Sequence, residues 1–492
     1  MTIDDEPKSA YTELMNDTTP TAEKTTSGWK DQRIAELESE LAKERAINQA
    51  LRDRVQQLEA DLAVLKQAGK RQATPFARRA HVAEPKRPGR KVGQGPFARR
   101  PRPEPEQVKE TKDAPLSGCP ECGGPLIDLK DHEQFVVDIP PVEPVVTRYV
   151  THSGYCAACC QRVRSHHPEQ TSEATGAAGV VVGARAKALA TDLKHRLGAS
   201  YGKVCEVIND AFGLKVTRSG WCQADQRLAD QARPVYVELI ETLRACAVVH
   251  SDETGWRIGL LSAWLWVFTN QHITVYAIRE GRGHEVVIEI LGQTFSGILV
   301  SDCFLAYDDQ TLRDWLKQKC VGHLLRNLSE LEESKTGGAV RFARDVTALL
   351  QGALALKAEK PNLSPDLFAQ RAAALEAELD ALIDPQRRLT DPDNLRLAKR
   401  LRKQRPHVLR FLYVDGLDAT NNQAERQLRP GVITRKTSGC NRTDSGAEAH
   451  SILGSILATC RQQAIPILDY LVKLQQYGGK PPALAPPASA AA

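Results

Sequence analysis

Two sets of residues in this 492-residue chain are spaced for chemistry. Cys119 and Cys122 form a C-x-x-C pair followed by two glycines, and Cys156 and Cys159 form a second pair after 33 intervening residues. Four thiolates so grouped suit one tetrahedral Zn²⁺, a closed structural site with no position left for a substrate. Cys160 could stand in for Cys159. The second set is acidic. Asp252 follows an apolar run at 247–250, and Asp302 follows another at 297–300. Carboxylates brought together in this way supply the hard oxygens that hold Mg²⁺ or Mn²⁺ for an in-line phosphoryl displacement. Such a site needs a third carboxylate. Glu425 stands on a short helix that Thr420-Asn-Asn-Gln423 starts as a capping box and Pro430 stops, yet taken alone it reads better as the i+4 partner of Arg429. Cys320 and His323 alone would make a weak metal site, and a structural role is expected for them.

The elements that must position these residues follow from periodicity. Runs at 247–250, 263–268 and 273–277 read as strands, 285–291 as a helix and 297–300 as a further strand. That order, with one acidic residue closing the first strand and another just after the fourth, is expected of an α/β RNase H-like core, in which the two carboxylates come side by side. The core is expected over 246–435, with a large helical insertion at about 325–412 and a C-terminal helical region and disordered tail at 436–492. Upstream, 175–245 is helical. Tyr201–Phe212, a turn at Gly213 and a helix over 217–228 read either as a helix-turn-helix for DNA or as an ordinary helical hairpin. A zinc ribbon is expected over 115–170, with strand-like alternation at 135–139 and 144–150.

The N-terminal part differs in composition. Residues 1–30 have no sustained period and are expected to be disordered. Over 31–68, Ile34, Leu41, Asn48, Val55 and Leu62 at a, with Leu37, Glu44, Leu51, Leu58 and Leu65 at d, make a heptad repeat, and the single a-position Asn favours a parallel dimer. A surface helix packed on the body is the alternative. Residues 69–114 form a basic Pro/Gly-rich linker. Eleven Lys or Arg against one Glu at 70–102, with Phe-Ala-Arg-Arg at 76–79 and again at 97–100, could neutralise DNA phosphates or merely stay solvated.

Net charge is only +5, and apolar residues make up 41% of the chain, ordinary for globular material. No apolar run approaches a membrane span and the first residues do not look like a signal peptide, so a cytoplasmic location with reduced cysteines is expected.

His250-Ser-Asp-Glu-Thr-Gly-Trp256, Val300-Ser-Asp302, Asn421-Asn-Gln-Ala-Glu-Arg426, Leu428-Arg-Pro430 and Arg435-Lys-Thr-Ser-Gly439 resemble the transposase of the insertion sequence 66 family. Cys440, where the family tends toward another Gly, departs from the pattern. The resemblance implies a DDE transposase with Asp252, Asp302 and Glu425 as catalytic residues, with 49 and 122 residues intervening, holding Mg²⁺ or Mn²⁺. Glu253 and Asp308 fall outside that trio. Arg426, Arg429, Arg435 and Lys436 would contact DNA near the scissile phosphate, or serve as surface and pairing residues. Thr254 and Trp256 would support the first strand. Expected partners are the element's terminal inverted repeats, target DNA, a second copy through the coiled coil, and accessory transposition proteins, all at the bacterial nucleoid. A zinc-containing DNA-binding regulator with an inactive core is the rival reading.

Overall fold

The computed structural model describes residues 26–70, 100–476 and 483–484. The segment before residue 26, most of the basic stretch and nearly all of the tail beyond 476 lie outside the described residues. Two compact units, residues 1–83 and 84–492, are taken separately.

The first unit contains α1 (Thr26–Lys70), one helix of 45 residues that begins ahead of the expected 31. Ile34, Leu37, Leu41, Leu51, Val55 and Leu58 remain about half exposed along it. An apolar stripe that repeats every seven residues is more than one free helix can bury.

In the second unit, the strands expected at 135–139 and 144–150 do not form. Pro140, Pro141 and Pro144 cannot donate to a ladder, and Val145 and Val146 are exposed. The hairpin that does form is β1 (Ser153–Cys156) with β2 (Gln161–Arg164), and it carries the second C-x-x-C pair in its turn. Next come α2 (Ala184–Thr191), α3 (Tyr201–Phe212) and α4 (Arg218–Arg244). Ser200 and Thr217 cap the last two with side-chain oxygens, and Gly213 ends α3 at φ 66°, a left-handed conformation that glycine adopts without cost. α4 does not stop near 228. Leu228, Ala232, Val235, Leu239 and Leu243 continue one face at helical spacing into the main core, so a break between 175–245 and the residues after it is not what the packing shows.

The sheet is built from β3 (Val248–Ile258), β4 (Leu261–Thr269), β5 (Thr274–Arg279), then α5 (His284–Leu291), β6 (Ile298–Ser301) and β7 (Leu316–Lys319). Its order is β5-β4-β3-β6-β7: an antiparallel meander, with β6 and β7 parallel to β3. β3 runs six residues past Asp252, which is therefore mid-strand rather than terminal. β7 was not expected, because Lys317, Gln318 and Lys319 have no apolar character and yet are buried.

Beyond it lie α6 (Val321–Ser334), α7 (Ala339–Glu359), α8 (Pro365–Ile383), α9 (Pro392–Val408), α10 (Asn422–Thr437), α11 (Asp444–Gln462) and α12 (Ile467–Leu474). The helical insertion thus starts at 321 and shares a core with Ile298 and Val300 on one face of the sheet. α4, α5 and α11 share another with Val249, Trp266 and Leu299. The C-terminal region is therefore built into the sheet unit. The N–H groups of Thr274, Tyr276 and Ile278 on edge strand β5 donate to Thr459 Oγ1 (3.1 Å), Ser455 Oγ (2.8 Å) and Ser451 Oγ (3.1 Å) of α11. Four helical residues advance about 6 Å and two strand residues about 6.8 Å, so the two rows stay in step. An edge that could pair with another chain is closed by hydroxyls.

Candidate functional site

The sheet register brings the first two carboxylates together. His250 of β3 pairs with Val300 of β6 across a parallel ladder, so two residues further on Asp252 and Asp302 hold equivalent places on neighbouring strands. Such strands lie about 4.8 Å apart. Burial pushes the Asp252 carboxyl well above the usual carboxylate range, and the negative charges of Glu253, Asp302 and Glu425 add to the effect. Asp252 Oδ1 accepts from Glu253 N and Asp302 Oδ1 from Phe304 N, each at 2.9 Å, which fixes both carboxylates.

Glu425 arrives from the first turn of α10. Ala424 and Leu428, one turn apart, seat that helix on Trp256, Leu265 and Val267 of the sheet. Gly431 comes closest, since a Cβ there would meet Leu265 Cδ2 at 2.3 Å. Pro430 does not stop the helix, which continues to Thr437. The missing N–H opens the hydrogen-bond ladder locally, and the Tyr276 hydroxyl donates to the Gln427 carbonyl there. The capping box is not formed either. Asn421 is the N-cap but makes no side-chain cap bond. Its Nδ2 donates to Ser251 O at 2.7 Å, its Oδ1 lies 3.2 Å from His250 Nδ1, and its N–H donates to Cys320 Sγ at 3.2 Å. Fully buried, Asn421 ties Glu425's helix to Asp252's strand and to the start of α6. Sequence reasoning missed this role, because its spacing from His250 carries no local signal.

No ion pair joins Glu425 to Arg429 among the described residues. Glu425 Oε1 lies instead 3.7 Å from His323 Nδ1. The charge of Glu425 reaches Asp252, but donor atoms of Asp252, Asp302 and Glu425 do not all lie within 4.8 Å of one another. Among the described residues, the one group of His, Cys, Asp or Glu donor atoms all within 4.8 Å of one another is Cys320, His323 and Glu425.

The two neighbouring acids are held elsewhere. Glu253 accepts from Tyr307 OH and Arg282 Nη2, each at 2.8 Å, and Arg282 is sandwiched between the Phe304 ring at 3.7 Å and the Trp264 ring at 4.1 Å. Burial, with Asp302, raises its carboxyl, and those two donors oppose the rise. Asp308 pairs with Lys319 Nζ at 2.8 Å, where both side chains are buried, and it also accepts from Gln404. Lys319 Nζ donates in turn to the Asp302 carbonyl at 3.0 Å.

Of the expected DNA contacts, Arg426, Arg429 and Lys436 are exposed on α10. Arg435 is not available in the same way, since its Nη1 donates to Thr254 Oγ1 at 3.1 Å and to the Gly255 carbonyl. It braces β3. Trp256 donates to Asn441 Oδ1 at 2.9 Å, a supporting role as expected.

Each C-x-x-C pair forms a turn suited to thiolates. Gly123 N donates to Cys119 O at 2.8 Å and Cys119 N to Gly124 O at 3.0 Å. The N–H groups of Cys122 and Glu121 pull the Cys119 thiol below its ordinary range, and that of Cys159 does most to lower Cys156. Donors and charge fit Zn²⁺. The two turns are not drawn onto one centre, however: Cys119, Cys122, Cys156 and Cys159 do not meet within 4.8 Å. Residues 125–152 between them have no regular element and no core, and small metal domains take their closing energy from the ion.

Comparison with known proteins adds to this geometry. Residues 117–160 match the zinc-finger binding domain of transposase IS66. The uncharacterized protein y4qI of Sinorhizobium fredii is 24% identical over 291 residues, 53% of this chain and 53% of its own, so this chain spans about half the length of that curated relative. The crystal structure of the catalytic domain of Mos1 mariner transposase aligns with 43% of this chain and 91% of that one, at 12% identity and a TM-score of 0.13. Residues 179–449, which include the whole sheet, Asp252, Asp302 and Glu425, match the profile described as Transposase IS66 family, and the chain belongs to that family.

Proposed function

We propose that this chain is a DDE transposase with an RNase H-like core, which binds the terminal inverted repeats of its element, cuts at the 3′ ends and joins them to target DNA. The observation that carries the reading is the register of β3 and β6, which sets Asp252 beside Asp302, with Glu425 close enough to raise the Asp252 carboxyl further. Like charges held together in a dry place are costly unless cations answer them. Asp252, Asp302 and Glu425 would hold Mg²⁺ or Mn²⁺. When bound, such ions make the attacking oxygen more acidic and stabilise the leaving one.

The chain's own residues orient the reaction. β3 and β6 fix two carboxylates on a stiff support, Lys319 holds the Asp302 backbone, and Asn421 sets α10 at the height that brings Glu425 in. Water attacks the scissile phosphorus, the P–O3′ bond breaks and the 3′ oxygen takes a proton. The freed 3′-OH then attacks a target phosphodiester, exchanging one P–O bond for another. Arg426, Arg429 and Lys436 would contact phosphates beside the site. The basic stretch at 70–102 would add contacts that ignore sequence. The protein acts in the cytoplasm on nucleoid DNA, with accessory transposition proteins as candidate partners. No described helix is long and apolar enough to cross a membrane.

The test is incubation of the purified chain with labelled duplex carrying the element's own end, or a scrambled end, in Mg²⁺. A 3′-OH product from the true end alone is expected, and no cutting of either would sink the reading.

Two further parts belong to it. α1 would dimerise as a parallel coiled coil, burying the half-exposed stripe. A fragment of residues 28–70 should sediment as a dimer at about 10⁻⁵ M, and Leu51→Pro with Leu58→Pro should make it monomeric, each proline breaking a helical hydrogen bond at about 3 kcal/mol. A monomeric unmutated fragment would contradict it. Cys119, Cys122, Cys156 and Cys159 would hold one tightly bound Zn²⁺ per chain. Elemental analysis should find that ion, and Cys119→Ser with Cys156→Ser should lose it, together with protection of 117–160 from protease.

A further inference from the structure

We infer that Cys320, His323 and Glu425 form a separate binding site for a thiophilic divalent cation of the Zn²⁺ class, and that filling it draws Glu425 away from Asp252 and Asp302. The inference rests on the catalytic reading of those carboxylates only for its second half. The site stands on three observations. One donor atom from each of the three residues lies within 4.8 Å of the others. His323 Nδ1 is buried without a hydrogen-bond partner, so a nitrogen that should not be left bare points toward Glu425 Oε1 at 3.7 Å. Cys320 is the N-cap of α6 and its Sγ accepts from Asn421 N at 3.2 Å, while burial raises the thiol, so a bound ion has to displace its proton.

The donor chemistry selects the ion. Sulfur, imidazole nitrogen and one carboxylate oxygen form a Zn²⁺-type set, whereas Mg²⁺ takes oxygen. Bonds of about 2.0–2.3 Å in a tetrahedron place ligands roughly 3.3–3.8 Å apart. The His323 and Glu425 atoms are already at that spacing, and Cys320 and His323 stand on one helical turn as C-x-x-H. Both outer side chains are partly exposed, which leaves a path for the ion and a fourth position for water or a DNA phosphate oxygen.

Because a Glu425 turned onto an ion held by Cys320 and His323 is withdrawn from Asp252 and Asp302, Zn²⁺ added to a Mg²⁺ reaction should inhibit cutting. The test uses the full chain with its C-x-x-C pairs already loaded with Zn²⁺, titrated with Co²⁺. One further equivalent should bind, with a thiolate-to-cobalt charge-transfer band. The band should vanish in Cys320→Ser, and Co²⁺ affinity should fall more than about 100-fold in His323→Gln, beyond the roughly 10–100-fold that outer-shell changes cost. It should persist in Asp252→Asn. A missing band in the unmutated chain, or one unchanged in both Cys320→Ser and His323→Gln, overturns the inference. If the band is missing while Glu425→Gln is dead in cutting, the catalytic reading stands alone. If the band weakens in Glu425→Gln while that variant cuts normally, the site stands and the catalytic reading falls.

Discussion

Asp308→Asn should make the sheet unit about 3–5 kcal/mol easier to unfold, because it leaves the Lys319 ammonium buried without its counter-charge. Lys319 is fully buried and its partner nearly so. Asp314→Asn, whose side chain is 87% exposed, should change stability by no more than about 0.5 kcal/mol. Adding Lys319→Met to Asp308→Asn should recover much of the loss, since the pair then leaves together. Denaturant unfolding of the four proteins checks this. Equal stability of Asp308→Asn and Asp314→Asn would show that the ion pair does not form. Lys319 also donates to the Asp302 carbonyl, so the single variant should lose cutting as well.

Asp252→Asn should do the opposite to stability while abolishing cutting. A carboxyl whose folded pKa lies above its unfolded value holds its proton more tightly in the fold. The stability it contributes is full below the unfolded value, about 3.9, and is lost as pH rises from there through the folded pKa. Asp252 is of this kind, through burial first and then Glu253, Asp302 and Glu425. In chelator at neutral pH, Asp252→Asn should therefore be the more stable protein, and the gap should close in acid. Mg²⁺ should stabilise the unmutated chain more than the variant. A variant less stable than the parent in chelator would mean that Asp252 is a structural acid.

How much of this was legible in the sequence depended on whether the deciding contact was local. The meander, α5 and β6 were readable because apolar alternation and length are local signals, and their order sufficed to pair Asp252 with Asp302. β7 was not. Lys317, Gln318 and Lys319 pass for surface until partners about 90 residues away are known: Gln318 bonds the Val408 carbonyl and the Phe411 N–H. Glu253 and Asp308 likewise look like free acids in a string of letters, and their anchors Arg282, Tyr307 and Lys319 come from other elements. Pro430 misled for a related reason. A proline inside a helix removes one bond, that to the Arg426 carbonyl, and the helix runs on here because Ala424, Leu428 and Gly431 seat it on the sheet. The knuckle turns at Cys119 and Cys156 were legible as a spacing, whereas their closure around one ion depends on a segment without a core. The link from Glu425 to Cys320 and His323 spans about a hundred residues and appears only in three dimensions.

If Glu425 completes a cutting site with Asp252 and Asp302, removing its charge alone should stop cutting. Glu425→Gln keeps the shape of the side chain and removes its charge. It is to be compared with Asp314→Asn and the unmutated chain for cleavage of a labelled duplex bearing the element's end, with Mg²⁺ or Mn²⁺ present and Ca²⁺ as a control for binding. Glu425→Gln should fold, bind the end and cut more than about 10³-fold more slowly, an effect of roughly 4 kcal/mol on the barrier, while Asp314→Asn should cut at the parent rate. Glu425→Gln cutting at the parent rate would contradict the assignment of Glu425.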